Sequence, residues 1–164
     1  MARIDFVTGA PRRYMPLVDA LAMVPDRVEA VLSAHSGASL TRAPDDAGWS
    51  PARVLAHMLS YARHNGTFID MIAHMTDPIR PLSDEDATIA AHGWLNFDAA
   101  HLVAAFRAET APTVELLSGT PDASWGRPGR HPTGGRRSLR QQVQAHLDHM
   151  SEHIAHLDAL LAAG

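Results

Sequence analysis

The sequence contains neither cysteine nor lysine among its 164 residues. The absence of cysteine excludes a disulfide framework, a zinc finger, an iron–sulfur site and a thiol nucleophile supplied by the chain itself. The absence of lysine excludes a Schiff-base enzyme and the lysine of a P-loop nucleotide site. No run of apolar residues approaches the roughly 18 that a membrane-spanning helix needs, so we expect no contact with a membrane.

Positive charge is scarce, and it comes from 14 arginines that are outweighed by 18 acidic residues, for a net charge of −4. This sign is wrong for a dedicated nucleic-acid binder, so we expect no nucleic-acid partner. The segment from Met1 to Pro11 carries Arg3 and Asp5 and lacks the apolar run of a signal peptide, which predicts a cytoplasmic protein. Histidine, by contrast, is abundant at 11 residues, and it is the commonest metal ligand.

Apolar residues recur at helical spacing in the first half of the chain. A segment from Tyr14 to about His35 is interrupted by Pro25, which predicts a kink or two shorter helices. A polar connection is expected from Leu40 to Gly48. A second helix begins after Ser50, which can cap it, with Pro51 at the first helical position, and this helix runs to about Met75.

The middle of the chain predicts one short helix, one long helix and a loop. The short helix begins at Ser83, with Asp86 three residues later as a capping-box partner. The long helix runs from about Asp98 to Ser118. The segment from Pro121 to Arg137 is rich in Gly, Pro and Arg and predicts a loop.

The last predicted helix begins at Ser138, where Gln141 completes a capping box, and runs to about Ala162. No segment of the sequence indicates a strand. Long amphipathic helices in a chain of this length predict an all-α fold, a four-helix bundle that forms a single domain over residues 1–164.

Four histidines of the last helix are spaced three, four and three residues apart and lie beside its apolar stripe: His146, His149, His153 and His156. His149 and His153, at i and i+4, can chelate one metal ion. A third ligand must come from another helix, where His57 and His64 lie beside the apolar stripe of the second helix. The alternative is that these histidines form only the polar border of amphipathic helices.

Two other kinds of metal site are discounted. The run from His149 to His153 fits the H-x-x-E-H signature of inverted zinc proteases, but only Asp158 follows it as an acidic residue, and Glu152 turns away from the stripe. A di-iron carboxylate bundle needs Glu-x-x-His motifs on its helices, and this sequence has none.

The motifs occur in the order found in one known family. Gly48-Trp49-Ser50-Pro51 followed by His57, the loop from Trp125 to Arg137 with His131-Pro132, and the run from His146 to Ile154 together resemble the DinB/YfiT-like superfamily. The resemblance implies a four-helix bundle, often a homodimer, with one nickel or zinc ion held by His57, His149 and His153. His146, His156 and His64 are then candidates to surround these ligands, although Gln often replaces His156 in relatives.

The resemblance also implies a class of chemistry. Relatives include transferases and isomerases that use the low-molecular-weight thiols mycothiol or bacillithiol. Three imidazoles leave a metal with an open position, so we expect a metal-dependent enzyme that activates such a thiol, or water, to attack a small electrophilic substrate. Four loop arginines are candidates to bind an anionic group of the substrate or thiol: Arg127, Arg130, Arg136 and Arg137. The alternative is a non-catalytic, helical metal-binding protein with a role in stress or ligand binding.

Overall fold

The computed structural model describes residues 9–43 and 48–164 of the chain. Within these residues the chain forms seven α-helices, one 3-10 turn and two strands. They are, in order, α1 (Met15–Ala22), α2 (Val24–Ala34), α3 (Pro51–His74), α4 (Glu85–His92), the 3-10 turn (Trp94–Asn96), α5 (Ala99–Ser118), α6 (Asp122–Trp125), β1 (Pro128–Arg130), β2 (Arg136–Ser138) and α7 (Leu139–Ala162). Most of the amino-terminal segment used to predict the cytoplasm, and part of the Leu40–Gly48 connection, lie outside the described residues.

The helix predicted to begin near Tyr14 is divided into α1 and α2 at Met23. Pro25 lies in the first turn of α2, where its missing amide hydrogen costs little because those amides have no partner within the helix. The prediction of two shorter helices is confirmed.

The two longest helices begin at the predicted caps. The Ser50 hydroxyl accepts a hydrogen bond from Arg53 N at 3.2 Å at the start of α3. Ser138 and Gln141 form a reciprocal capping box at the start of α7, with each side chain accepting from the other residue's amide. These contacts satisfy helix amides that would otherwise have no partner, and they fix the two helices that carry the predicted metal ligands.

The predicted start of the short helix is wrong by one residue. The cap of α4 is Asp84, whose carboxylate accepts a hydrogen bond from Ala87 N at 2.9 Å, and the helix begins at Glu85. Ser83 lies before the cap, so no capping box joins Ser83 to Asp86. The carboxylate of Asp84 reaches an amide of the first turn directly and takes the role assigned to the Ser83 hydroxyl.

The predicted loop before the last helix contains short structured elements, so the expectation of no strand is also wrong. After α6, strands β1 and β2 pair antiparallel as a hairpin, closed by Gly134 and Gly135 with φ of +91° and +89°. The hairpin lies on α3: a Cβ added at Gly129 would come within 2.5 Å of Ile72 Cγ1 and 2.8 Å of Phe68 Cζ. Three-residue strands are too short to show an alternating pattern.

The long helices pack around one apolar core. Helix α3 packs against α5 and α7, and α2 packs against the same two helices. The consecutive helices α1 and α2 together therefore take the place of one helix of the four-helix bundle. The largest fully buried side chains include Phe68, Phe106 and Trp125. The predicted all-α four-helix bundle is confirmed. No helix within the described residues combines the length and hydropathy needed to cross a membrane.

Candidate metal centre

Three imidazoles from two helices meet at one point of the bundle. His57 projects from α3, and His149 and His153 project from successive turns of α7. One ring nitrogen from each residue lies within 4.8 Å of the other two, and His57 Nε2 is 3.1 Å from His149 Nε2. Packing of α3 against α7 therefore joins the predicted i, i+4 pair to the predicted third histidine.

The donor set fits a divalent transition metal. Two imidazole nitrogens that share one ion at about 2.1 Å in tetrahedral geometry lie roughly 3.4 Å apart, close to the observed separation of 3.1 Å between His57 and His149. His153 Nδ1 is buried and has no hydrogen-bond partner among residues 9–43 and 48–164, although buried polar atoms are normally paired. Neutral imidazoles are good ligands for zinc and nickel.

A carboxylate fixes the orientation of His57. His57 Nδ1 donates a hydrogen bond to Glu85 Oε2 at 2.7 Å, so its Nε2 lone pair points to the other imidazoles. Arg53 in turn donates to Glu85 Oε1 at 3.1 Å and to Asp86 Oδ1 at 2.8 Å. The role of Glu85 is not predictable from the sequence, because one acidic residue among the several Asp and Glu residues at the start of α4 carries no signal of its own.

Two aromatic side chains form walls of the site. The Trp49 ring lies 5.0 Å from the His57 ring and is 39% exposed, and the Tyr61 ring stacks on the His149 ring at 3.9 Å. The three imidazoles themselves are only partly exposed. The site is therefore reachable from solvent and bordered by apolar surface.

Burial keeps the α7 imidazoles neutral. Desolvation, with additional repulsion from His153, His57 and Arg80, lowers the pKa of His149 to about 4. Desolvation and the nearby His57 also lower the pKa of His153. Both rings are therefore uncharged near pH 7, which is the form that binds a metal.

The three histidines predicted to surround the ligands lie in different environments. His146 is 3% exposed, and burial, with His149, lowers its pKa to about 3. His64 Nε2 is hydrogen bonded to Thr88 Oγ1 at 2.9 Å. The exposed His156 ring lies 6.3 Å from that of His153. Of the three, His146 is the one enclosed in the core beneath the site.

A buried chain of hydrogen bonds connects His146 to the hairpin. Asn65 Nδ2 donates to His146 Nδ1 at 2.8 Å, and Gln142 Nε2 donates to Asn65 Oδ1 at 2.6 Å. Gln142 Oε1 then accepts from His131 Nε2 at 3.0 Å. These contacts satisfy polar groups in the core and hold α3, α7 and the hairpin in register around the site.

Three of the four candidate loop arginines have internal partners. Arg127 donates to Met75 O at 2.6 Å, and Arg130 and Arg136 both pair with Asp77. Arg137 differs, because its guanidinium lies 3.5 Å from His131 Nε2 and has no ion pair within the described part of the chain. Anion binding by these four residues stays a prediction, with Arg137 the best placed of them.

Comparisons with known proteins agree with this architecture. The structure is similar to that of YfiT from Bacillus subtilis, described as a probable metal-dependent hydrolase with an unusual four-helix bundle topology, with a TM-score of 0.79 and 19% sequence identity over 98% of this chain and 90% of YfiT. At that identity the likeness shows the shared fold. No curated protein sequence matches this one. The sequence model of the DinB superfamily matches residues 20–157, and the chain therefore belongs to the DinB superfamily.

Proposed function

We propose that this protein is a metal-dependent enzyme in which His57, His149 and His153 bind a divalent ion, nickel or zinc. Its reaction is the attack of a low-molecular-weight thiol, such as mycothiol, or of water on a small electrophilic substrate. The observation that carries the proposal is the convergence of three partly exposed imidazole rings, backed by a carboxylate, at a wall of the bundle.

The three-histidine set favours a reactive site over a structural one. Structural zinc sites usually close four protein ligands, whereas catalytic sites keep a position for water or substrate. When bound, a divalent ion supplies Lewis acidity that lowers the pKa of a nucleophile at its open position. No cysteine exists in the sequence, so any sulfur in the reaction arrives on a small molecule.

The side chains around the imidazoles have separate tasks. Glu85 accepts the Nδ1 proton of His57 and holds that ring in one tautomer. Tyr61 covers one face of His149, and Trp49 lies against His57, which reduces contact with bulk water. The buried pair of Asn65 and His146 supports Tyr61 from below.

The experiment compares turnover by the metal-loaded protein with turnover by His153→Ala. Hydrolysis of activated esters and amides, and thiol transfer to electrophiles with mycothiol as donor, form two arms. His35→Ala is the matched control, since His35 pairs with Asp158 away from the cluster. We expect His153→Ala to lose activity in one arm while His35→Ala keeps it.

Equal rates in all three proteins, together with stoichiometric metal in the wild type, would favour the alternative of a non-catalytic metal-binding protein. We also propose that the protein works in the cytoplasm and, as the family resemblance implies, that it forms a homodimer. Sedimentation of the purified protein tests the second point, and a strict monomer would contradict it without bearing on the metal site.

A further inference from the structure

Arg80 lies beside the imidazole cluster, and no pattern in the sequence distinguishes it. Its guanidinium carbon is 5.8 Å from the centre of the Tyr61 ring, and the His149 imidazole stacks on the same ring at 3.9 Å. Arg80, Tyr61 and His149 therefore form a continuous group that joins an arginine to the candidate metal centre.

The backbone fixes the position of Arg80. Arg80 N donates to Arg130 O at 2.8 Å, and Arg130 N donates to Pro78 O at 2.8 Å, so this segment forms a parallel bridge with strand β1. Strand β1 is itself pressed against α3 at Gly129. The arginine is therefore anchored at its base by the core and does not depend on a flexible loop for its placement.

Arg80 has no carboxylate partner within residues 9–43 and 48–164. Four other arginines near the site and hairpin are engaged: Arg53 with Glu85, Arg130 and Arg136 with Asp77, and Arg127 with Met75 O. Arg80 is half-buried, and a partly desolvated charge is costly without a counter-charge.

Arg137 is a second cation nearby, because strand β1 pairs with the Arg80 segment and also with β2, which contains Arg137. Arg137 is exposed and lies 3.5 Å from His131. Two arginines without ion pairs in the described chain thus belong to the two segments that pair with strand β1.

We propose that Arg80, assisted by Arg137, binds an anionic group of the substrate, a carboxylate or a phosphate, above Tyr61 and beside His149. Guanidinium groups bind both anions through planar, paired hydrogen bonds. The inference deepens the proposed function and rests on it, since it makes the substrate of the enzyme a small molecule that carries a negative charge next to its reactive centre.

The test is calorimetric titration of succinate and of inorganic phosphate into metal-free and zinc-loaded protein. The metal-free arm matters because anions can also bind an ion directly. We expect Arg80→Gln to weaken binding at least tenfold in both forms, Arg80→Lys to weaken it less, and Arg137→Gln to weaken it a few-fold. Arg12→Gln, which removes an exposed arginine without an ion pair in the described residues, is expected to bind as the wild type does.

Arg80→Gln removes no hydrogen bond of the backbone bridge, and its circular dichroism and melting curve check that it folds. The inference is overturned if the wild type binds neither anion, or if Arg80→Gln and Arg12→Gln bind equally well. Zinc content measured on the same samples separates the two proposals. Arg80-dependent anion binding in a protein that takes up no metal supports the anion site and contradicts the proposed function, whereas zinc uptake without anion binding contradicts this inference alone.

Discussion

Replacing Glu85 tests whether the carboxylate behind His57 prepares that ring to bind a metal. Glu85 Oε2 accepts from His57 Nδ1 at 2.7 Å, and the two side chains are 34% and 15% exposed. Removing such a partner of a ligand imidazole typically lowers metal affinity roughly 10- to 100-fold, which corresponds to about 1.4–2.8 kcal/mol.

The expected size of the loss depends on the substitution. Glu85→Gln keeps an amide oxygen that can accept from His57, and the position is partly solvated, so we expect a loss near tenfold. Glu85→Ala leaves His57 Nδ1 without an acceptor, and its loss is expected near the upper end of the range. Asp86→Asn is the matched control, because Asp86 also bonds Arg53 but does not touch His57.

The assay is competition for zinc between the protein and a chromophoric chelator at fixed pH and ionic strength. Circular dichroism on the same samples checks that each variant is folded. The reasoning is refuted if Glu85→Ala holds zinc as tightly as Asp86→Asn and the wild type do, since His57 would then need no support from the carboxylate.

Two further predictions concern stability. Gly129→Ala is expected to lower the free energy of unfolding by about 1–3 kcal/mol through overpacking against Ile72 and Phe68. Gly126→Ala is the control and is expected to change it little, because a Cβ at Gly126 meets no atom within 4 Å. Equal denaturation midpoints for the two variants would contradict the close packing at Gly129. Burial lowers the pKa of His146 from 6.5 to about 3, so between these values the unfolded chain binds more protons and stability is lost as the pH falls. In metal-free protein this effect of His146 lowers the free energy of unfolding by about 2 kcal/mol between pH 6.5 and about pH 5. Urea denaturation at each pH measures the free energy of unfolding, and its dependence on pH must be weaker in His146→Gln.

Local signals made the helices and the α7 half of the site predictable. The caps at Ser50 and Ser138 depend on residues three positions away, and the pairing of His149 with His153 depends only on helical periodicity. Spacing alone does not decide whether His57 or His64 is the third metal ligand, and the family resemblance favours His57. Packing of α3 against α7 brings that ring to the pair.

Features set by contacts between distant segments were not predictable. Glu85 reaches His57 from 28 residues away, and Arg80 is placed by a backbone bridge to Arg130, neither of which leaves a periodic pattern. The hairpin packs closely on α3 at Gly129, where a Cβ would collide with Ile72 and Phe68. Its three-residue strands are too short to carry a pattern that predicts this tertiary contact. The error at the start of α4 is local, because Ser83 and Asp84 are neighbouring residues that can both cap a helix, and it is Asp84 that accepts from Ala87 N.

Elemental analysis of purified protein tests the central claim most directly. The account predicts stoichiometric nickel or zinc in the wild type and in His35→Ala, and loss of that metal in each of His57→Ala, His149→Ala and His153→Ala. Full metal content in folded His57→Ala would contradict the account, because the ion would then be held without the ring that α3 brings to the pair on α7.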